Sequence, residues 1–390
     1  MKVLYIHQYF RTTEEGGAIR SYYLAKGLID HGIEVELITA FNESKARVAI
    51  IDGIKVHYLP VYYDNNQGFI QRLYAFFKFM RLARKKAREI SNVDVCYATS
   101  TPLTIGLSAM RLKREQNIPY FFEVRDLWPE APVQMGVIKN KYLKIYLKQL
   151  EKRVYKNASQ IVALSPGIKE QIELEQPGKP VIVIPNMSDV DFFVPEEKQV
   201  EMEDLFDVRG KFVVSYFGAI GLSNHLEFLL AAANEALKSG LPIQIFIIGM
   251  GSQLERLKYL VRHFGLSNVR FLPFQNKYNL KRVLNITDAA YVSFARKPIL
   301  ETNSPNKFFD ALASGKMIIT NTKGWVKDIV ERDGCGFYYD PDNPKDFVEK
   351  ITPYINKTDL LNRAQNNARN VAETQFAKSA QVEKLIKLFA

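Results

Sequence analysis

The residues with the clearest chemical potential lie in the run Ser304-Pro305-Asn306-Lys307-Phe308-Phe309-Asp310-Ala311-Leu312-Ala313-Ser314-Gly315-Lys316. Ser is a favoured N-cap, Pro at the first helical position lacks only an N–H that would be orphaned there, and Gly suits the left-handed turn after a helix. The spacing therefore predicts a short helix capped by Ser304 at its start and by Gly315 at its end. The unpaired N–H groups of its first turn carry about half a positive charge. Lys307 adds a whole one, so an anion is the expected guest. Asp310 lies at i, i+3 from Lys307 and i, i+4 from Asn306, where a carboxylate accepts hydrogen bonds from hydroxyls. A phosphate beside a sugar diol is a nucleotide. The same residues also fit an ordinary capped helix with a solvated Lys–Asp pair, and the local sequence leaves both readings open.

Two glycine pairs extend the theme. Gly16-Gly17 precedes a helical segment, and Gly249-Met250-Gly251 follows an apolar run; lacking Cβ atoms, such residues let backbone approach a bound group. A plain strand-to-helix turn is the alternative for the first pair. The second is not a dinucleotide fingerprint, because Leu254 stands where a third glycine is needed, which argues against a nicotinamide dehydrogenase. Glu123-Val124-Arg125-Asp126 closes another apolar run. A carboxylate there could orient or partly deprotonate an attacking hydroxyl, or the three charges could form a salt-bridge cluster that holds the strand end.

The elements that must position these groups follow from periodicity. Val3–Ile6, Val35–Ala40, Asp94–Tyr97 and Tyr120–Val124 are short β-branched or aromatic runs that alternate with helical segments such as Ala18–Leu28. After an acidic, Pro-containing stretch near Pro195–Asp207, a second set comprises Lys211–Phe217, Ile243–Ile248, Val269–Leu272, Ala289–Phe294, Met317–Thr320 and Phe337–Tyr339. This rhythm predicts an α/β protein of two doubly wound parallel sheets, and 390 residues suit two such domains. Lys378–Phe389 reads as an amphipathic terminal helix.

Charge is uneven. Residues 1–190 hold 27 Lys and Arg against 19 Asp and Glu, so most of the net +11 lies in the first half. Arg81, Arg84, Lys85 and Lys86 belong to a basic segment interleaved with aromatics and free of acid from Ile70 to Arg88, the pattern of a helix at an anionic membrane surface. Lys139–Lys156 forms a second basic cluster. Core-packed helices with solvated outer faces are the alternative, and no nucleic-acid module accompanies the charge. Cys96 and Cys335 stand alone and no ligand-spaced His cluster occurs, so no disulfide framework or structural metal site is expected and a reducing, cytoplasmic setting fits. The initial apolar run is too short for a signal-peptide core, and no stretch is long enough to span a bilayer. His7, His31, His57 and His263 are expected to be structural or surface residues.

Taken in order, Gly16-Gly17-Ala18-Ile19-Arg20, His31-Gly32-Ile33-Glu34-Val35, Ile184-Pro185-Asn186 with Asp189 and Asp191, Ile248-Gly249-Met250-Gly251 and Ser304–Lys316 resemble glycosyltransferase family 4 over nearly the whole chain. The resemblance implies the GT-B fold, two Rossmann-like parallel-sheet domains facing across a cleft. It places an acceptor-binding domain at 1–188 and a nucleotide-sugar-binding domain at 189–372, with helix 373–390 packing back on the first. It implies donor contacts from Gly16, Gly17, Gly218, Asn224, Gly249, Gly251, Glu301, Ser304, Asn306, Lys307 and Asp310, and catalytic roles for Asp126, Lys307, Glu123 and Arg125. No metal or cofactor is implied. Sugar transfer would proceed with retention and without a protein nucleophile, and the departing diphosphate would serve as base.

Three departures stand out. Arg125 occupies the place of a His that many members carry; the stretch Phe217–His225 lacks the usual Arg and Lys, leaving Asn224 or His225; and Glu301 and Asp310 have eight residues between them instead of seven. Glu123-Val124-Arg125-Asp126-Leu127-Trp128-Pro129-Glu130 resembles the branch with fucosamine transferases of bacterial surface-polysaccharide synthesis. That branch implies an N-acetylated amino- or deoxysugar on UDP, a polyprenyl-diphosphate-linked acceptor, and capsule, O-antigen or exopolysaccharide assembly at the inner face of the plasma membrane. A UDP-sugar 2-epimerase of the same architecture and a non-catalytic nucleotide-sugar-binding scaffold are the alternatives.

Overall fold

The computed structural model describes residues 1–15, 19–64 and 67–389. The chain forms two compact units, one of Met1–Pro185 with Ser379–Ala390 and one of Asn186–Lys378.

The first unit holds strands β1 (Lys2–Ile6), β2 (Glu34–Phe41), β3 (Arg47–Ile51), β4 (Ile54–Pro60), β5 (Val95–Thr99), β6 (Tyr120–Val124), β7 (Gln160–Ala163) and β8 (Val181–Val183). They form one sheet in the order β3-β4-β2-β1-β5-β6-β7-β8, parallel except for the antiparallel β3–β4 edge pair. Among its helices are α1 (Arg20–Asp30), α2 (Phe69–Arg88), α3 (Ile105–Gln116) and α4 (Lys141–Asn157). Because helices cover both faces, all of β5 and all but the first residue of β1 are buried. The β3–β4 hairpin was not anticipated, although its signal is local: Asp52 and Gly53 join Ile51 to Ile54 with φ of 48° and 87°, the two left-handed residues of a type I′ turn.

The second unit contributes β9 (Phe212–Phe217), β10 (Ile243–Ile248), β11 (Val269–Leu272), β12 (Ala289–Val292), β13 (Met317–Thr320) and β14 (Gly336–Tyr338), wholly parallel in the order β11-β10-β9-β12-β13-β14. Helix α5 (Glu227–Lys238) lays Leu229, Leu230 and Ala233 against Val214, Tyr216, Ile245 and Ile247 of the sheet. Helix α6 (Asn306–Ala313) leads into β13, and α7 (Lys378–Ile386) ends the chain. From Ser379 onward α7 belongs to the first unit. Its Val382 fills the space that a side chain at Gly27 of α1 would need, and Phe389 packs at 5.2 Å on Phe121.

One ion pair ties the first unit together. Arg20, which opens α1, places Nε 3.2 Å from Glu123 Oε1 at the end of β6, both side chains out of solvent. Tyr97 donates to Glu123 Oε2 at 2.6 Å, and Arg20 also donates to the carbonyls of Ile184 and Pro185. Every strong charge in this cluster is compensated, which a buried pair requires.

Replacing Arg20 with Ala would leave Glu123 buried without its counter-ion. A loss of about 3–5 kcal/mol is expected by urea unfolding of the first unit, with most of it regained in the double variant Arg20→Met/Glu123→Leu; an unchanged midpoint for Arg20→Ala would count against the assignment.

Candidate functional site

In the second unit, the loops after β9 and β10 run side by side. Gly218 N–H donates to the Ile248 carbonyl at 3.0 Å and Ile220 N–H to the Met250 carbonyl at 2.8 Å, so pairing continues beyond the strands. A Cβ at Gly249 would stand 1.9 Å from the Gly218 carbonyl oxygen, and one at Gly251 would stand 2.3 Å from that of Ile220. What Gly249 and Gly251 approach closely is therefore the neighbouring loop. Gly218, at φ 137°, instead faces Lys307, whose Nζ lies 3.4 Å from where a Cβ would be.

Lys307 is the centre of this site. Its Nζ sits 3.9 Å above the Tyr216 ring and donates to Asn224 Oδ1 at 3.2 Å, a cation–π contact and a neutral hydrogen bond. No carboxylate pairs with it among the described residues. Desolvation without a counter-charge lowers its pKa to about 7. Asn224 is buried and its carbonyl is held by Ser293 Oγ at 2.6 Å. His225 turns instead to Glu227, 3.6 Å from Oε2.

The start of α6 departs from the expected capping. The helix begins at Asn306 with Pro305 at the N-cap and no side-chain cap. Ser304 does not cap it because its Oγ accepts the Asn186 backbone N–H at 3.1 Å, while its carbonyl accepts the Asn186 side-chain amide at 2.6 Å. The first-turn donors of α6 are thus left without a side-chain cap next to an ammonium that no carboxylate meets among the described residues, an arrangement that favours an anion. Gly315 takes its expected place at φ 61°: its N–H reaches the Leu312 carbonyl and that of Lys316 the Ala311 carbonyl, each at 3.0 Å, a Schellman end. Ser188 Oγ donates to the Phe309 carbonyl at 2.9 Å, so the segment that opens this unit holds α6 just ahead of its first turn and again in mid-helix.

Asp310 is not paired with Lys307. Its surroundings are Lys277 and Asp189, and burial raises its pKa to about 7. Asp189 itself is buried between Lys277 and Lys378. Glu301 lies on a 3-10 turn, Pro298–Thr302, whose backbone is crowded by Gly324: a Cβ at that glycine would stand 2.5 Å from the Glu301 carbonyl.

In the first unit, Gly16 and Gly17 lie outside the described residues. The expected cluster of Glu123, Arg125 and Asp126 is divided: Glu123 is committed to Arg20 and Tyr97 and has no exposed surface. Arg125 is half-buried, its backbone N–H donating to Ser100 Oγ at 3.1 Å and its guanidinium lying 3.2 Å from His7 Nε2. Since a guanidinium only donates, Nε2 accepts, and the His7 proton resides on Nδ1 facing Ser21 Oγ at 2.7 Å. Burial, with the charges of Arg125 and Arg20, holds the His7 pKa well below its ordinary value, so the ring stays neutral. Burial raises the pKa of Asp126, with Arg125 opposing. Arg125 has no ion-pair partner among the described residues.

Tyr216 is the support that sequence reasoning missed: it looks like an ordinary strand residue, and only packing sets it beneath Lys307. His7, expected as a structural or surface residue, lies buried just past β1 against Arg125. The basic residues of α2 are also divided: Arg84 pairs with Glu115 at 2.6 Å and Lys86 with Glu89 at 2.7 Å, whereas Arg81 and Lys85 carry no ion pair among the described residues. No cluster of His, Cys, Asp or Glu among the described residues could hold a metal ion.

Two family models match the chain, Glycosyltransferase Family 4 over residues 15–192 and Glycosyl transferases group 1 over residues 197–371. Spore coat protein SA of Bacillus subtilis (strain 168) is 22% identical over 200 residues, 48% of this chain and 51% of that protein. The match thus spans about half the length of this curated relative. Sucrose-phosphate synthase from Thermosynechococcus elongatus superposes with a TM-score of 0.78 at 15% identity, covering 100% of this chain and 98% of that one. Anabaena Alr3699/HepE, solved in complex with UDP and glucose, gives 0.71 at 17%, covering 100% and 99%. Likeness at these identities shows the fold, GT-B.

The Lys307 environment sets opposite pH trends. With a folded pKa of about 7 below the ordinary lysine value, the unfolded chain holds this proton up to about pH 10.5, so its contribution to stability rises with pH across that window. Pyrophosphate binding, which needs the ammonium, should weaken over the same range by up to about tenfold per unit above about pH 7, relative to a Lys307→Met variant. Calorimetric titration from about pH 6 to about pH 9 checks this; parallel profiles for the two proteins would refute it.

Proposed function

The chain belongs to the family 4 glycosyltransferases, and from that premise we propose that it moves a sugar from a UDP-sugar to a polyprenyl-diphosphate-linked saccharide, with retention at the anomeric carbon. The observation that carries this reading is Lys307: a half-buried ammonium held by Tyr216 and Asn224, with no carboxylate partner among the described residues, beside uncapped helix donors. Such a pairing costs stability unless an anion completes it. A nucleoside diphosphate supplies two phosphates, and the UDP bound in the Anabaena neighbour supports the uridine form.

The chemistry asked of these residues is electrostatic. As the bond between the anomeric carbon and the diphosphate oxygen breaks, negative charge grows on the departing diphosphate, and the α6 N–H groups with Lys307 stabilise it. The acceptor hydroxyl forms the new bond on the same face and gives its proton to the departing diphosphate. Asp310, one turn along α6, accepts the ribose hydroxyls. Asp126 orients the acceptor hydroxyl, and Arg125 is the first unit's contact for anionic substrate groups. Glu123 acts as the counter-ion of Arg20 and makes no contact with substrate. The N-acetylated amino- or deoxysugar of the resembling branch is the proposed cargo. Acceptors of this kind reside in the inner leaflet of the plasma membrane, so the enzyme works there as a peripheral protein in capsule, O-antigen or exopolysaccharide assembly. No metal is called upon.

UDP at about 100 times its dissociation constant should stabilise the protein by about 2.7 kcal/mol, with GDP and ADP giving less. Lys307→Ala is expected to lower transfer by roughly 100- to 1,000-fold without lowering the thermal midpoint; wild-type turnover in that variant would refute the role. Analysis of the nucleotide sugar after incubation without acceptor should return it unchanged, and an isomeric product would assign an epimerase instead.

A further inference from the structure

A second concentration of uncompensated charge lies elsewhere in the first unit. A groove of about 840 Å³ opens between α2 and α3, and seven Lys or Arg side chains line it with no acid. Arg81, Lys85 and Arg88 come from α2, Arg111 and Arg114 from α3. Among the described residues a single carboxylate reaches this group: Glu115, which takes Arg84 at 2.6 Å and Arg88 at 2.5 Å and lies 3.7 Å from Arg114. Arg84 Nε is nevertheless buried without a partner. Like charges gathered around a concavity repel one another, so the folded chain holds an unmet demand for anions here.

The groove is separate from the candidate site. Asn117 and Asn157 line it, each three residues before a strand begins, β6 at Tyr120 and β7 at Gln160. The groove therefore reaches the amino ends of the strands, whereas Arg125 and Asp126 follow the carboxyl end of β6. Its lining also includes the apolar Met80, Leu107 and Met110. The outward stripe of α2 continues from its basic half to Phe77, Tyr74 and Ile70, which are 48%, 68% and 81% exposed. Phosphate-binding cations beside exposed aromatic and aliphatic side chains match a lipid with an anionic head and apolar chains.

We infer that this groove is a discrete binding site for the phosphate headgroups of anionic membrane lipids, built jointly by α2 and α3. The choice of a lipid over a soluble polyphosphate rests on the membrane-held acceptor proposed above; the groove itself does not. Both arms contribute, so the site differs from a single basic helix lying on a charged surface.

The test is flotation with vesicles of phosphatidylcholine alone or doped with phosphatidylglycerol. The wild-type protein should bind only the doped vesicles, and Arg111→Gln/Arg114→Gln, confined to α3, should weaken binding at least about tenfold. Arg81→Gln/Lys85→Gln serves as the second variant and should do the same. Undiminished binding in the α3 variant would overturn the joint site, and failure of the wild-type protein to float while inorganic tripolyphosphate binds would overturn the lipid assignment. UDP thermal shifts should match wild type in both variants. Absence of any UDP shift in a protein that still floats would remove the transferase reading and leave the lipid site standing.

Discussion

An ammonium held without a carboxylate partner among the described residues is the constraint around which the second unit is arranged. Lys307 sits over Tyr216, against Gly218 and on Asn224. None of these returns a full negative charge, and water is partly excluded, so the positive charge is retained only at a cost. The neighbouring structure keeps it that way. Ser304 is placed in sequence to cap α6 and occupy its donors, but Asn186 holds it aside. The glycine loops pack against each other so tightly that no side chain can enter between them. The result is an ammonium held beside uncapped helix donors, an electropositive arrangement fixed by the fold.

The first unit treats charge in two ways. At Arg20 and Glu123 both members are buried and satisfied, and their task is to fasten α1 to β6 and to the chain that leaves the sheet through Ile184 and Pro185. Arg125, two residues beyond Glu123, is left with a neutral imidazole in place of an anion. Along α2 the same contrast recurs, since Glu115 answers Arg84 and Arg88 but nothing answers Arg81 or Lys85 among the described residues. Where cations are unanswered in a folded protein, an anionic substrate or surface is the physical completion.

Much of this was legible in advance. The strand runs of both units, the terminal helix and the basic helix emerged from periodicity alone, and the parallel sheets followed from their alternation. The β3–β4 hairpin was missed despite an Asp-Gly turn, because attention to the parallel rhythm hid an antiparallel edge. The short β7 and β8 were missed as well: four and three residues give too little alternation to register. At the site, Lys307 and Gly315 stood out correctly as helix-end residues, while Ser304 followed the usual capping rule and that rule yielded to a residue 118 positions away.

The sequence by itself determined which segments become strands and helices and where a lone lysine opens a helix, because side-chain periodicity and turn chemistry act over a few residues. Tertiary structure alone decided which charges are answered. Arg20 meets Glu123 across 103 residues and Arg125 meets His7 across 118, and compensation is a matter of distance in space, which the chain settles only when its sheets are assembled.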